Sequence, residues 1–332
     1  MLDALTQLGV FTAEAIIIAL MVIIVLFVFL MLIGKGKERK QGKLHIKNLN
    51  HKYNEMRELM LAETMNKKQF KDFQKNKKRE EKEKEKKSEP VKNIFVLSFH
   101  GDIKASAVSF LKEEITAILN VATPNDEVLL RLESAGGVVH GYGLAAAELI
   151  RLRAKNIPLM IAIDKVAASG GYLMACVANK ILAAPFAIIG SIGVIVQLPN
   201  FHRLLKDKDI DFEMHTAGEF KRTITVFGEN TEEGREKLQQ EIEDIHGHFK
   251  HLIKEYRPQI NINQVATGEH WLAMHARTLD LVDELGTSED YLFSQSKTAH
   301  IFEICHEVRK PLLARLTGSA NIFNSIISLL GK

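Results

Sequence analysis

Residues 158–185 read PLMIAIDKVAASGGYLMACVANKILAAP, and the order of patterns within them decides the fold. PLMIAID is a short β-rich run, the residues around Ser169 are all small, SGGYLMACVANK opens a helix, and ILAAP starts another β-rich run. Strand, elbow, helix and strand in immediate succession form a β-α unit of a largely parallel sheet. The same alternation continues upstream. NIFVLSFHGDI, from Asn93, reads as a strand ending at Gly101, and SAVSFLKEEITAILNVA as an amphipathic helix. EVLLRLES, from Glu127, reads as a second strand, followed by the Ala135-Gly136-Gly137 turn and a helix over 141–154. The expected fold class is therefore α/β.

Downstream, Ile181 to Leu198 is mostly apolar, but Pro185, Gly190 and Gly193 interrupt it, which disfavours a membrane span. Its β-branched content predicts buried strands joined at GSIGV (190–194). Asn230 precedes a long amphipathic helix predicted from Thr231 to Tyr256, ending before Pro258.

The N-terminal third has a different character. Ala15 to Ile33 are 19 consecutive apolar residues, about the length a helix needs to cross the hydrocarbon layer. Asp3 and Glu14 precede the run and Lys35, Lys37, Arg39 and Lys40 follow it, the reverse of a cleaved signal peptide. This order predicts a single-pass anchor with the remainder of the chain on the cytoplasmic side. Residues 35–90 then carry 19 Lys/Arg against 10 Asp/Glu and include KNKKREEKEKEKKSE, which reads as a charged stalk, either a solvated helix or a disordered spacer. The expected organisation is an anchor over 1–34, a stalk over 35–93, a folded domain over 94–300 and an amphipathic tail over 301–332.

The 332-residue chain is 46% hydrophobic and 26% charged, enough apolar material for a real core. Its net charge of +3 hides a stalk of +9 and a remainder after residue 90 of −4. The folded part therefore lacks the basic footprint of a nucleic-acid enzyme. Cys176 and Cys305 stand in apolar stretches outside any Cys-x-x-Cys spacing, so neither a metal centre nor a redox pair is expected. Gly-x-Gly-x-x-Gly and Gly-Lys-Ser/Thr patterns are missing around the double glycine, which argues against a nucleotide cofactor.

Three pieces carry chemistry. Ser169 lies between Ala167, Ala168 and Gly170, Gly171, where a hydroxyl at a strand-to-helix elbow can act as a nucleophile with free helix amides beside it. The same position also suits an ordinary N-cap serine. Gly136 and Gly137 can present backbone N–H groups to an oxyanion or can form a plain loop. Lys221, in AGEFKRTITVF, has Ala217, Phe220, Ile224 and Phe227 close in sequence, and a lysine desolvated by such company can serve as a base. Lys165 is a rival base. His100, His140 and His202 show no spacing that pairs them with Ser169, and His246, His248 and His251 sit in a charged helix rather than a zinc motif.

Taken together, the stretches FHGDI, LRLESAGGVVHGYG, AIDKVAASGGYLMA, IIGSIGVI, AGEFKRT and ATGEHWLAMHARTLDLVDELG resemble the bacterial signal peptide peptidase A family of serine peptidases over residues 94–295. The resemblance implies a Clp-protease/crotonase-like fold in a bowl-like homo-oligomer at the bacterial inner membrane, cleaving unfolded or membrane-derived peptides. It implies Ser169 as nucleophile, Lys221 as general base, and the amides of Gly137 and Gly170, with Gly136 adjacent, as oxyanion donors. No metal or cofactor is implied. Ser191 in GSIGV either orients the lysine amine or simply forms a turn. Two positions depart from the family pattern: Ala135, where proline is frequent, and Asp280, where glycine is usual. An acyl-CoA enzyme of the crotonase type and a non-catalytic membrane scaffold are the alternatives.

Overall fold

A computed structural model describes residues 18–22, 43–86 and 91–307. His45–Cys305 form one compact unit; the other, Met1–Leu44 with His306–Lys332, falls mostly outside the described residues. Of the apolar run expected to anchor the chain, only 18–22 are described, and they are helical. Among the described residues no helix is long and apolar enough to cross a membrane. The expected amphipathic tail lies outside them from residue 308 onward.

The main sheet has seven strands. In chain order they are β1 (Lys43–Asn48), β2 (Asn93–His100), β3 (Glu127–Glu133), β4 (Leu159–Ile163), β6 (Lys180–Ala183), β9 (Glu284–Leu285) and β10 (His300–Glu307). Their spatial order is β1-β10-β2-β3-β4-β6-β9, and from β10 to β9 every neighbouring pair is parallel. A smaller sheet, β5 (Val166–Ala168), β7 (Ile188–Gly190) and β8 (His270–Leu272), stands beside it. The two are joined where Ser134, just beyond β3, bridges to Ala167.

The chain is α/β, as the alternating runs predict. The reason is visible along β2: Phe95, Leu97 and Phe99 enter one core, Ile94 and Val96 another, and all five are buried. The register carries this division across the sheet. Val96 pairs with Leu129, and Leu129 with Met160, all on the second face. Buried on both faces, these strands read as continuous apolar runs rather than as an alternation with polar residues.

The first face is covered by α3 (Val108–Leu119), α4 (Val139–Ala154) and α5 (Gly170–Ala175), with α7 (Glu232–Tyr256) contributing Phe249 and Ile253. Helix α7 starts where expected: Thr231 caps it by accepting from the Gly234 amide at 3.1 Å, and Glu232 and Glu233 complement the first turn. The second face is covered by Leu49, at the start of α1 (Leu49–Thr64), and by Leu292 of α10 (Ser288–Gln295). The other helices within residues 43–307 are α2 (Lys67–Lys86), α6 (His202–Lys206), α8 (Ile262–Val265) and α9 (Ala273–Thr278).

Two segments differ from their sequence reading. Residues 43–48, within the stretch read as stalk, are a strand of the main sheet, and Asn50 fastens the following helix to the segment leading into β10. Its Nδ2 donates to the carbonyls of Ser296 and Ala299 at 3.0 and 2.9 Å, and its Oδ1 accepts from the Ile301 amide at 2.7 Å. Beyond β7, residues 191–200 form no strand, and Ile195, Val196 and Leu198 are exposed rather than buried. Local β-propensity is not enough there, because no neighbouring strand offers hydrogen bonds.

Candidate active site

The elbow expected at Ser169 is present. Strand β5 ends at Ala168, helix α5 begins at Gly170, and Ser169 between them has φ 51° and ψ −120°. A positive φ is costly for a residue with a Cβ and persists only where its surroundings hold it. Here the Ser169 amide donates to the Gly190 carbonyl at 2.8 Å, and its own carbonyl accepts from the Leu173 amide at 3.0 Å. The Ser169 side chain accepts no capping bond from its helix, so the hydroxyl is left for other work.

The double-glycine turn meets this elbow. Gly136 has φ 91°, and a Cβ built on it would lie 2.8 Å from the Ser169 Cβ, the Gly170 nitrogen and the Ala168 oxygen. Only glycine fits there. Ser169, Gly170 and Gly136 are therefore brought together, and Gly137 follows directly. The Gly136 N–H is directed inward to Ser134 Oγ at 3.0 Å. The amides of Gly137 and Gly170 have no acceptor among the described residues. This divides the three glycines that the sequence groups together: one amide is used within the turn and two remain open.

Beneath the turn lies a buried polar chain that sequence reasoning missed. Ser134 Oγ and Tyr142 Oη are 2.5 Å apart, and Tyr142 Oη donates to the Asp102 carbonyl at 2.9 Å. Tyr142 is fully buried and Ser134 nearly so. Burial raises the phenol above its ordinary range, against a smaller opposing effect of the Ser134 hydrogen bond. Serine at a strand end and tyrosine on an apolar helix face look structural when read separately, and only the fold joins them.

Lys221 lies in an exposed loop, where its amide donates to the Gly218 carbonyl at 3.2 Å. No hydrogen bond joins it to Ser169 within the chain. Its apolar neighbours in sequence do not enclose it: Phe220 and Phe227 are 46% and 45% exposed, and it is Lys237 that stands over the Phe220 ring, 5.3 Å from its centre. Lys165, the rival base, is held by Glu133 at 3.0 Å. His100 is 3.9 Å from the same carboxylate, His202 starts α6, and neither they nor His140 hydrogen-bonds to Ser169. Ser191 has φ 50° and donates its amide to the Glu269 carbonyl at 2.6 Å, closing the turn after β7.

A cavity of about 190 Å³ with several charged side chains opens near the ends of β2, β3 and β4, but its charges are already matched. Lys165 pairs with Glu133, Asp164 accepts from the amide and hydroxyl of Ser288, and Arg131 pairs with Glu289 and Glu303. Among the described residues no group of three or more His, Cys, Asp or Glu side chains could hold a metal ion. Asp280 has φ 59°, a left-handed position that glycine adopts without strain and aspartate tolerates.

A serine with positive φ at a strand-to-helix elbow, packed against a double-glycine turn, is compatible with a serine-type hydrolase. The family models for the N-terminal part of peptidase family S49 and for peptidase family S49 itself match residues 3–149 and 151–301. The chain belongs to peptidase family S49 and is a peptidase, serine-type as in that family. It is similar to the probable protease SohB of Haemophilus influenzae, with 47% identity over 329 residues, covering 94% of this chain and 92% of that protein. It is also 56% identical over 228 residues to the probable protease SohB of Buchnera aphidicola, covering 69% and 68%. The solved structure of a mutant of the membrane-bound stomatin-specific protease 1510-N superposes with a TM-score of 0.42 at 14% identity, covering 62% of this chain and 86% of that one.

Proposed function

We propose that the chain is a membrane-associated serine endopeptidase of the inner membrane, working as a homo-oligomer on unfolded or membrane-derived peptides with Ser169 as nucleophile and Lys221 as base. The observation that carries this reading is the strained Ser169 backbone with the Gly136 α-carbon against its side chain. In the first step the Lys221 amine takes the Ser169 hydroxyl proton and the resulting alkoxide adds to the peptide carbonyl. The Gly137 and Gly170 amides receive the oxyanion. Collapse of the tetrahedral adduct expels the amine product, which takes the proton from Lys221, and leaves an acyl-serine. Lys221 then takes a proton from water, the hydroxide adds to the ester carbonyl, and collapse breaks the Ser169 ester bond and releases the acid product as the Lys221 proton returns to the Ser169 oxygen.

The role of Lys221 requires a change in its surroundings, because the loop that carries it is exposed and a lysine base needs desolvation. The exposed stretch around it supports assembly as the cause. Ile195, Phe201, Leu204, Ile210, Phe212 and Phe227 are all exposed large apolar side chains, more than a lone soluble chain ordinarily leaves uncovered in one stretch. A second copy covering this loop would desolvate the lysine. The 19-residue apolar run and the basic residues after it support the anchor and the cytoplasmic side. Membership of a peptidase family supports the peptidase reading over the crotonase and scaffold alternatives.

The test is peptide hydrolysis by the full chain in detergent, compared with Ser169→Ala and Lys221→Ala, together with labelling by a serine-directed phosphonate. Both substitutions should abolish turnover while the assembly survives, and the label should sit on Ser169. Full activity in Lys221→Ala would overturn the dyad.

A further inference from the structure

Tyr142 occupies an unusual position relative to the two open amides. A Cβ built on Gly170 would lie 2.5 Å from the Tyr142 Cγ, 2.8 Å from its Cδ2 and 2.9 Å from its Cβ, so the ring is pressed against the Gly170 backbone. Its hydroxyl, at the other end of the side chain, belongs to the chain of hydrogen bonds under the double glycine. The direction of that chain follows from counting protons. The Asp102 carbonyl can only accept, so Tyr142 must donate to it. Ser134 must then donate to Tyr142, and Ser134 Oγ accepts from the Gly136 amide. Gly136, Ser134, Tyr142 and Asp102 thus form a single ordered relay with each hydroxyl proton placed.

The other end of the relay is fixed as well. The Asp102 carboxylate accepts from the Ser106 amide at 2.7 Å and the Ser106 hydroxyl at 2.6 Å. The adjoining Ile103 carbonyl accepts from the Val138 amide at 2.8 Å, clasping the glycine turn from the opposite side. A side chain at Gly101 would collide with both Ser134 Oγ and Tyr142 Oη, so that glycine keeps the space the relay occupies.

We propose that Tyr142 is a positioning residue for both oxyanion donors: its ring backs the Gly170 peptide, while its hydroxyl, through Ser134, holds the Gly136-Gly137 turn. This rests on the reading of Ser169 as nucleophile. The relay matters most when the carbonyl oxygen becomes negative, because two amides must then keep one spacing against the pull of a charge. Burial pushes the phenol above its ordinary range, which favours the protonated form that the relay needs.

The experiment uses the full chain and corrects every rate for the fraction of sites that a phosphonate titrates. Tyr142→Phe keeps the ring and removes the hydroxyl. It should lower kcat about tenfold to a hundredfold, the scale of a small misplacement at a reacting centre, with KM within about twofold. A peptide boronate, which forms a tetrahedral adduct, should lose affinity by the same factor. Ser134→Ala should do the same, and the double variant should lose no more than either single, because the relay acts as one unit. An unchanged kcat per titrated site in both single variants, with Ser169→Ala inactive, would overturn the positioning role and leave the nucleophile in place. A fall in titratable sites alone, at constant kcat per site, would likewise reduce Tyr142 to a folding role. Full turnover by Ser169→Ala would remove the underlying reading, and this proposal with it.

Discussion

The amide of Ser169 donates to the carbonyl of Gly190 at 2.8 Å, so the Ser169 elbow hangs from the last residue of a neighbouring strand. Gly190 is itself under constraint. It has φ 107°, and a Cβ there would lie 2.8 Å from two atoms of the Trp271 ring and 3.1 Å from the Glu269 carbonyl. Gly190→Ala should cost about 1–3 kcal/mol through strain and crowding. Because its carbonyl carries Ser169, turnover should fall more than stability explains, which thermal melting and kcat per titrated site would together show.

A second prediction concerns a clamp behind α5. Arg257, with its side chain 3% exposed, donates to both oxygens of Asp283 at 2.8 Å and to the Asp280 carbonyl at 3.0 Å. Asp283 also accepts from the Ile181 amide at 2.6 Å, tying the end of α7 to β6. Arg257→Leu should destabilise the fold by about 3 kcal/mol, toward the lower end for broken buried pairs because Asp283 remains partly solvated. Denaturant unfolding would measure it.

Acid should weaken the fold through Asp126. Burial pushes its carboxyl up, but hydrogen bonds from the amides and side chains of Thr123 and Asn93, at 2.8 to 3.0 Å, outweigh burial and hold it below the usual carboxylate range. A depressed carboxyl stabilises the fold above its unfolded value, about 4, and that contribution is lost as the pH falls through the lower folded value. Asp126→Asn should be about 2 kcal/mol less stable at pH 7 and show a shallower loss from pH 4 downward. Equal slopes in urea titrations of the two proteins would refute this.

Cys176 should be silent toward alkylation. It is fully buried behind the elbow, desolvation pushes its thiol up to about 12, and its Sγ donates to the Leu173 carbonyl at 3.2 Å. At pH 8 iodoacetamide should leave it unmodified in the native protein and modify it after unfolding in guanidinium, as mass spectrometry would read directly.

The sheet and the elbow were both legible because their determinants are local. Apolar runs between glycines announce buried parallel strands, and a serine between four small residues announces a tight turn. The joined behaviour of Gly136, Ser134 and Tyr142 was not legible, since Ser134 follows a strand, Tyr142 lies in the first turn of a helix, and both meet near the distant carbonyl of Asp102. The strand at 43–48 was hidden for a related reason. KLHIKN has no apolar run of its own, and its place in the sheet depends on residues some 250 positions away, as the 251-residue separation of Asn50 and Ile301 illustrates. The stretch 191–200 misleads in the opposite way, with strand-like composition and no strand to pair with.

The position of β10, between β1 and β2, sets a timetable for synthesis. The first two strands of the main sheet emerge from the ribosome early, yet the strand that separates them is among the last to appear. At roughly 5–20 residues per second, Asn50 waits on the order of tens of seconds for Ile301. Throughout that interval the edge of β2 that β10 will cover is open to other chains. Such an unpaired strand edge is a template on which another chain can pair, so the order of synthesis is itself an aggregation hazard of this topology.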